Sequence, residues 1–267
     1  MIDLATDITN WIRNYCKENK IKSLVIGVSG GIDSAVTSTL CGRTGIKTYA
    51  VTMPIHQDPE QTDRGVEHIK WLQKVCNPSI VHIHKDLTPI YDQFTEVMGD
   101  QESDMGFANS RARLRMTTLY QIAASNSGIV VGTGNKVEDF GVGFYTKYGD
   151  GGVDISPIAD LMKSEVRELG RWFGISETII DAPPTDGLWG DGRTDEDQIG
   201  ATYEELEWCM EFDGDPTYLN EREKEIMKIY EKFNQQNKHK MISIPIFKKG
   251  VHCEDNISVI GIGKLGL

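Results

Sequence analysis

Residues Gly27-Val-Ser-Gly-Gly-Ile-Asp-Ser34 follow Ser23-Leu-Val-Ile-Gly-Val28, a short apolar stretch suited to a buried parallel strand. They run into Ser34-Ala-Val-Thr-Ser-Thr-Leu-Cys41, which places Ala35, Val36 and Leu40 on one helical face. A strand, a tight glycine turn and a helix N-terminus aim several backbone N–H groups at one point. The helix dipole and the orphan donors add up there, so the turn is suited to an anion. Ser29 and Ser34 add hydroxyls, and Gly30 and Gly31 let the backbone approach a phosphate without a Cβ in the way.

The Walker pattern requires a lysine after its last glycine, and this turn has none; the spacing Gly-x-Gly-x-x-Gly of dinucleotide loops is also absent here. A formal match at Gly261-Ile-Gly-Lys-Leu-Gly266 has no helix after it and so lacks the mechanism. Asp33 beside bound phosphates makes sense if a cation lies between them, most simply Mg²⁺. The stretch Ser29-Gly-Gly-Ile-Asp-Ser34 resembles the signature of the N-type ATP pyrophosphatases, or PP-loop proteins. Members bind ATP, release pyrophosphate and transfer AMP to a substrate oxygen. The plainer reading is a glycine-rich strand–helix turn with a good cap.

Outward from the loop, strand and helix patterns alternate. Leu4, Ile8, Trp11, Ile12 and Tyr15 mark an amphipathic helix over 3–18. Strands are expected at 47–54, 80–84 and 128–132, with helices within 57–75, at 86–98 and at 109–126, the last carrying Arg111, Arg113 and Arg115. Residues 99–104 read as a polar break. Residues 141–154 are glycine-rich and aperiodic, as are 181–195, and such loops are often functional. Helices follow at 162–173, 203–212 and 220–237. The expected fold is α/β, a doubly wound, mainly parallel open sheet with helices on both faces, adenine nucleotide alpha hydrolase-like by resemblance. Such sheets bind ligands beyond the carboxyl ends of their strands, where the order reverses. Residues 1–267 are expected to form one domain, with 247–267 given no role. His82 and His84 alternate along one strand; they read as strand-end histidines rather than a metal pair, since no third ligand is evident.

Forty acidic residues against 28 basic give a formal net charge of −12, which argues against a general nucleic-acid footprint. Five scattered cysteines without a Cys-x-x-Cys pair suit free thiols in a reducing cytoplasm. No apolar run is long enough to span a bilayer, and no signal-peptide pattern opens the chain. A cytoplasmic protein without membrane partners is expected.

Three further stretches resemble NAD synthetases: Asn109-Ser-Arg-Ala-Arg-Leu-Arg-Met116, Val131-Gly-Thr-Gly-Asn-Lys-Val-Glu138 and Gly143-Phe-Tyr-Thr-Lys-Tyr-Gly-Asp-Gly-Gly-Val-Asp154. The likeness continues through Pro157, Lys163, Ala182-Pro-Pro-Thr-Asp-Gly-Leu-Trp189 and His239-Lys240. The family amidates deamido-NAD: ATP adenylates the nicotinate carboxylate and ammonia displaces AMP. The resemblance implies that Gly27, Val28, Ser29, Gly30, Gly31, Ile32, Asp33 and Ser34 hold ATP with Thr133, Lys163 and Thr185, and that Asp33 and Glu138 hold Mg²⁺. It further implies deamido-NAD on Arg113, Lys147, Asp154, His239 and Lys240, and a homodimer. Asp33 and Lys163 serve the chemistry, and Asp150 is the candidate for receiving ammonium and taking its proton. The ATP loop begins at Gly27, so ammonia is expected free or from a separate partner rather than from a glutaminase domain. After the second strand, His56-Gln-Asp-Pro-Glu-Gln-Thr62 departs from the serine-rich family pattern. Two rivals stay open: an ATP pyrophosphatase that amidates another acid, and a nucleotide sensor without chemistry.

Overall fold

The computed structural model describes residues 1–101, 103–185, 193–247 and 249. Helix α1 (Ile2–Glu18) buries Ala5, Thr9, Ile12 and Cys16, so the buried stripe is turned from the expected one: Leu4, Ile8 and Tyr15 flank it partly buried, and Trp11 is exposed. Strand β1 (Ser23–Gly27) leads through the glycine turn into helix α2 (Ile32–Arg43). Then come β2 (Lys47–Thr52), α3 (Pro59–Val75), β3 (Ile80–His84), α4 (Thr88–Met98), α5 (Asp104–Ser125) and β4 (Gly128–Val130). The sheet is parallel throughout, in the order β3-β2-β1-β4. The chain therefore builds outward from β1 on one side, then crosses to the other. The reversal falls between β1 and β4, where the glycine turn leaves β1, so the expected switch point is the observed one. A bridge from Val131 to Ile155 continues the parallel pattern beyond β4.

Alternation along β1 divides the two main cores. Leu24 and Ile26 join α1 and α2 in one fully buried cluster, while Val25 joins Tyr49, Val51 and Tyr91 in another. Helix α6 (Lys163–Phe173) closes the first cluster with Val166 and Leu169. Short helices α7 (Glu177–Ile180) and α8 (Asp195–Ile199) follow, then α9 (Tyr203–Glu211) and α10 (Glu221–Met241). Tyr203, Leu206 and Ile226 from the last two pack on Val137 and Val142 as a third cluster. Among the described residues no helix is long and apolar enough to cross a membrane. Cys16, Cys41, Cys76 and Cys209 are free thiols.

Three expectations need correction. The polar break ends at Ser103, whose hydroxyl accepts from Gly106 N–H at 3.2 Å and starts α5 at Asp104, ahead of the expected Asn109. Residues 137–142 form a π-helix, where irregular chain was expected from 141 onward. Helix α10 extends to Met241, with Lys238, His239 and Lys240 in its last turn, where cations suit the dipole. The formal glycine match at 261–266 and Trp189 lie outside the described residues.

The glycine turn rests directly on α3. Gly30 has φ +92°, and a Cβ there would collide with the carbonyl of Gln61. A Cβ on Gly65 would stand 3.1 Å from Val28 O and 3.3 Å from Gly30 N. Backbone meets backbone at this contact. Gly30→Ala would take on left-handed strain of about 1 kcal/mol as well as the collision. We expect it to weaken ATP binding by about 10-fold or more, since 1.4 kcal/mol is a factor of ten. Calorimetric titration reads this directly, and an unchanged dissociation constant would show that the turn tolerates displacement.

Candidate active site

The loop is stitched by its own hydroxyls. Ser34 Oγ donates to Gly31 O at 2.9 Å and accepts from Ser29 N at 3.2 Å, and Gly31 N donates to Ser29 Oγ at 3.3 Å. Helix α2 begins at an N-cap, Gly31, that has no side chain to cap it, so its first-turn amides face the cleft without a side-chain acceptor. The cleft has a volume of about 780 Å³ and is lined by all eight residues of Gly27–Ser34. Its other walls come from the end of β4, the π-helix, α5, α6 and α10.

At the foot of α2, three predicted residues converge. Lys163 Nζ lies 2.6 Å from Asp33 Oδ2 and 2.9 Å from Glu138 Oε1, and Lys163 is only 2% exposed. Burial alone would lower the ammonium's pKa, but Asp33 and then Glu138 outweigh it and hold the group firmly protonated. These contacts explain a lysine in the first turn of α6, the wrong end for the helix dipole: two carboxylates at contact distance prevail over a partial charge. Asn135, fully buried, donates to Asp33 Oδ1 at 3.0 Å and accepts from the amides of Val137 and Glu138 at 3.1 Å each. It thereby fixes Asp33 relative to the π-helix. Tyr203 donates to Glu138 Oε1 at 2.6 Å and lays its ring 4.5 Å from Lys163 Nζ. Neither Asn135 nor Tyr203 was singled out from the sequence. Asn135 stands in a quoted motif, and Tyr203 carries no local signal.

Past the π-helix, whose C-cap Gly143 is left-handed, the chain turns to Asp150. Thr146 N donates to Asp150 Oδ1 at 2.9 Å, and Thr146 Oγ donates to Asn109 Oδ1 at 2.6 Å. Asp150 lines the cleft and keeps its side chain exposed to it. The protein mass around the cleft weakens its hydration and pushes its carboxyl up to about 6, against the pull of the Thr146 amide. Asp139, unforeseen in the sequence, faces the same space. Burial first, then Glu138, Asp150 and Asp33, push it up to about 7. The floor is thus an acidic hollow, able to hold a small cation and take a proton near neutral pH.

Four of the five residues assigned to the dinucleotide gather at the outer end. Arg113 donates to Lys147 O at 3.4 Å, and Lys147 Nζ to His239 O at 2.6 Å. Lys240 Nζ donates to Gly143 O and Tyr145 O at 2.9 and 2.8 Å. Asp154 is not in the lining: it accepts from Val130 N at 2.8 Å and from Tyr120 OH at 3.1 Å, and so anchors β4. Thr133 and Thr185 both line the cleft. His82 and His84 both bond the Thr52 hydroxyl, at 3.0 and 2.9 Å. Among the described residues no group of three or more His, Cys, Asp or Glu is placed to hold a metal ion. A second cavity of about 820 Å³, beside Arg13, Arg43, Lys47 and Trp71, lies at the opposite strand ends and has no carboxylate in its lining.

A glycine turn at the switch point of a parallel sheet, beside a carboxylate–lysine–carboxylate cluster, defines a nucleotide-using α/β protein of the PP-loop kind. The chain belongs to the NAD synthase family, whose pattern it matches over residues 4–249. It is 38% identical over 200 residues to an NH(3)-dependent NAD(+) synthetase from Sulfurisphaera tokodaii, covering 75% of this chain and 70% of the relative. The NMN synthetase of Francisella tularensis superposes with a TM-score of 0.82 at 31% identity, over 92% of this chain and 98% of that one. The NH3-dependent NAD synthetase of Campylobacter jejuni superposes with a TM-score of 0.70 at 26% identity, with the same coverage.

Proposed function

We propose that this chain is an ammonia-dependent NAD synthetase, which amidates deamido-NAD at the cost of ATP cleaved to AMP and pyrophosphate. The observation that carries the reading is the joining of two features in one cleft. An uncapped helix N-terminus suited to phosphates stands beside an acidic hollow suited to ammonium. A carboxylate is a poor acyl electrophile, and adenylation gives it a leaving group. The loop Gly27–Ser34, with Thr133, Thr185 and Lys163, binds ATP, and Lys163 stabilises charge on the departing oxygens. Asp33 and Glu138 meet at a single cation, Lys163 Nζ, which shows that their carboxylates can share one charge. Two carboxylates this close, each with lone pairs beyond its present hydrogen bonds, suit Mg²⁺, which would take its remaining ligands from phosphate and water. When bound, the metal neutralises phosphate charge. Arg113, Lys147, His239 and Lys240 hold the dinucleotide, and Asp154 supports that wall from β4.

Asp150 accepts a proton from ammonium, so that neutral ammonia attacks the acyl adenylate. The rest of the reading is a cytoplasmic homodimer folded as one domain. The test is pyrophosphate release from ATP in the presence of deamido-NAD and ammonia. Stimulation by deamido-NAD is expected; stimulation only by another acid would favour a different amidation, and no turnover would favour a sensor. The closeness in shape to an NMN synthetase supports a second reading, amidation of the nicotinate mononucleotide. Comparing kcat/KM for the mononucleotide and the dinucleotide decides between the two.

A further inference from the structure

We propose that Arg64, on α3, is a catalytic residue that grips the β- and γ-phosphates of ATP and stabilises the departing pyrophosphate; this rests on the ATP-dependent reading above. Arg64 lines the cleft with Gln61 and Thr62, immediately over the turn: a Cβ on Gly30 would stand 3.3 Å from Arg64 Cβ. Its Nε is buried and has no hydrogen-bond partner, and among the described residues Arg64 makes no ion pair. A guanidinium cannot shed its charge, and a buried donor left unpaired is costly. Native proteins rarely keep such a group unless something else completes it.

The charges around the loop say what completes it. Lys163 is already shared between Asp33 and Glu138. Arg167 pairs with Glu204 at 2.9 Å, and Arg115 donates to Met53 O and to Gln57 Oε1. Lys147 and Lys240 are committed to backbone carbonyls at the far end. Beside a metal on Asp33 and Glu138, phosphates on the amides of Gly27–Ser34 would find on the α6 side a lysine shared with those carboxylates, and Arg64 can turn its fork toward them from α3. Strand order sets which phosphates these are. Asp33, Asn135, Glu138 and Asp150 lie on the β4 side of the loop, where the acyl group is activated. Arg64 lies on α3, which connects β2 to β3 on the other side of the loop.

In the step itself, a carboxylate oxygen of the substrate bonds to the α-phosphorus, and the bond from that phosphorus to the α,β-bridging oxygen breaks. The electron pair stays on that oxygen and leaves with pyrophosphate, and no proton moves. The gain of negative charge is at the oxygens a bidentate guanidinium holds best.

Titration of the full-length protein with inorganic pyrophosphate and, separately, with AMP tests this in Mg²⁺ buffer. Arg64→Met keeps the stem and removes the charge. Pyrophosphate binding and ATP–pyrophosphate exchange are expected to fall by about 10- to 100-fold, with AMP affinity and melting temperature unchanged. Arg64→Lys should recover part of the loss. Equal weakening of AMP and pyrophosphate, or a lysine variant no better than methionine, would make the residue structural and overturn the assignment. So would undiminished pyrophosphate binding by Arg64→Met. A wild-type protein that fails to bind pyrophosphate at all would end both this assignment and the ATP-dependent reading.

Discussion

Lys163→Met is expected to lower pyrophosphate release from ATP by about 10²- to 10³-fold and to destabilise the fold at the same time. Lys163 is 2% exposed and holds two carboxylates at 2.6 and 2.9 Å. Methionine fills most of the same space but leaves Asp33 and Glu138 facing each other without a cation. Breaking a buried pair in this way costs about 3–5 kcal/mol, hence a melting temperature lower by roughly 10 °C for a chain of this size. The folded-state pKa of Lys163 is raised, so the stability it confers is complete below the unfolded value and fades only as pH climbs past the folded one. Between pH 6 and 9 the loss should therefore be nearly constant. Millimolar Mg²⁺ should restore part of the stability, because a divalent ion can replace the ammonium between the two acids. Calorimetry with and without Mg²⁺, beside an exchange assay, checks both effects. A variant that melts like the parent and still exchanges pyrophosphate would remove Lys163 from the chemistry.

Asp150→Asn should separate the two halves of the reaction. Adenylation, followed as ATP–pyrophosphate exchange, should persist, while amide formation falls by about 10²- to 10⁴-fold. In the parent enzyme the amide-forming step should fade as pH drops through about 6, where Asp150 becomes protonated and can no longer take a proton from ammonium. The sign for stability is the opposite one. Weakened hydration in the cleft raises this carboxyl, so the folded state binds its proton more tightly and loses stability as pH rises from the unfolded value through about 6. The asparagine variant should then be at least as stable as the parent at pH 8, which separates loss of function from loss of fold. Loss of adenylation instead would refute the role.

The parallel sheet and its switch point were legible because β1 and β2 are apolar, bounded by turns and interleaved with helices of clear period. The expected bounds of β3, Ile80 to His84, are those observed. Asp33, Glu138 and Lys163 could be named from motifs, but their meeting could not: they are brought together by α2, the π-helix and α6, far apart in sequence. Asn135 and Tyr203 hold that meeting in place through contacts across 102 and 65 positions, which no local pattern encodes. The π-helix was illegible for a different reason. Its glycines at 141 and 143 read as loop, yet Asn135 caps its first amides and α10 covers it through Asn234 and Asn237, which donate to Gly141 O and Val142 O. Asp154 was assigned to the dinucleotide through the family resemblance; in the structure its two oxygens accept from β4 and Tyr120.

The glycine-to-glycine seam between residues 30 and 65 has a mechanical corollary. With no side chain as a cushion there, the phosphate turn and its neighbouring helix must travel as one stiff body. The opposite wall is fastened differently: the final long helix holds the π-turn and the stretch of chain after it by side-chain amides and a lysine on backbone carbonyls, contacts that can let go and re-form.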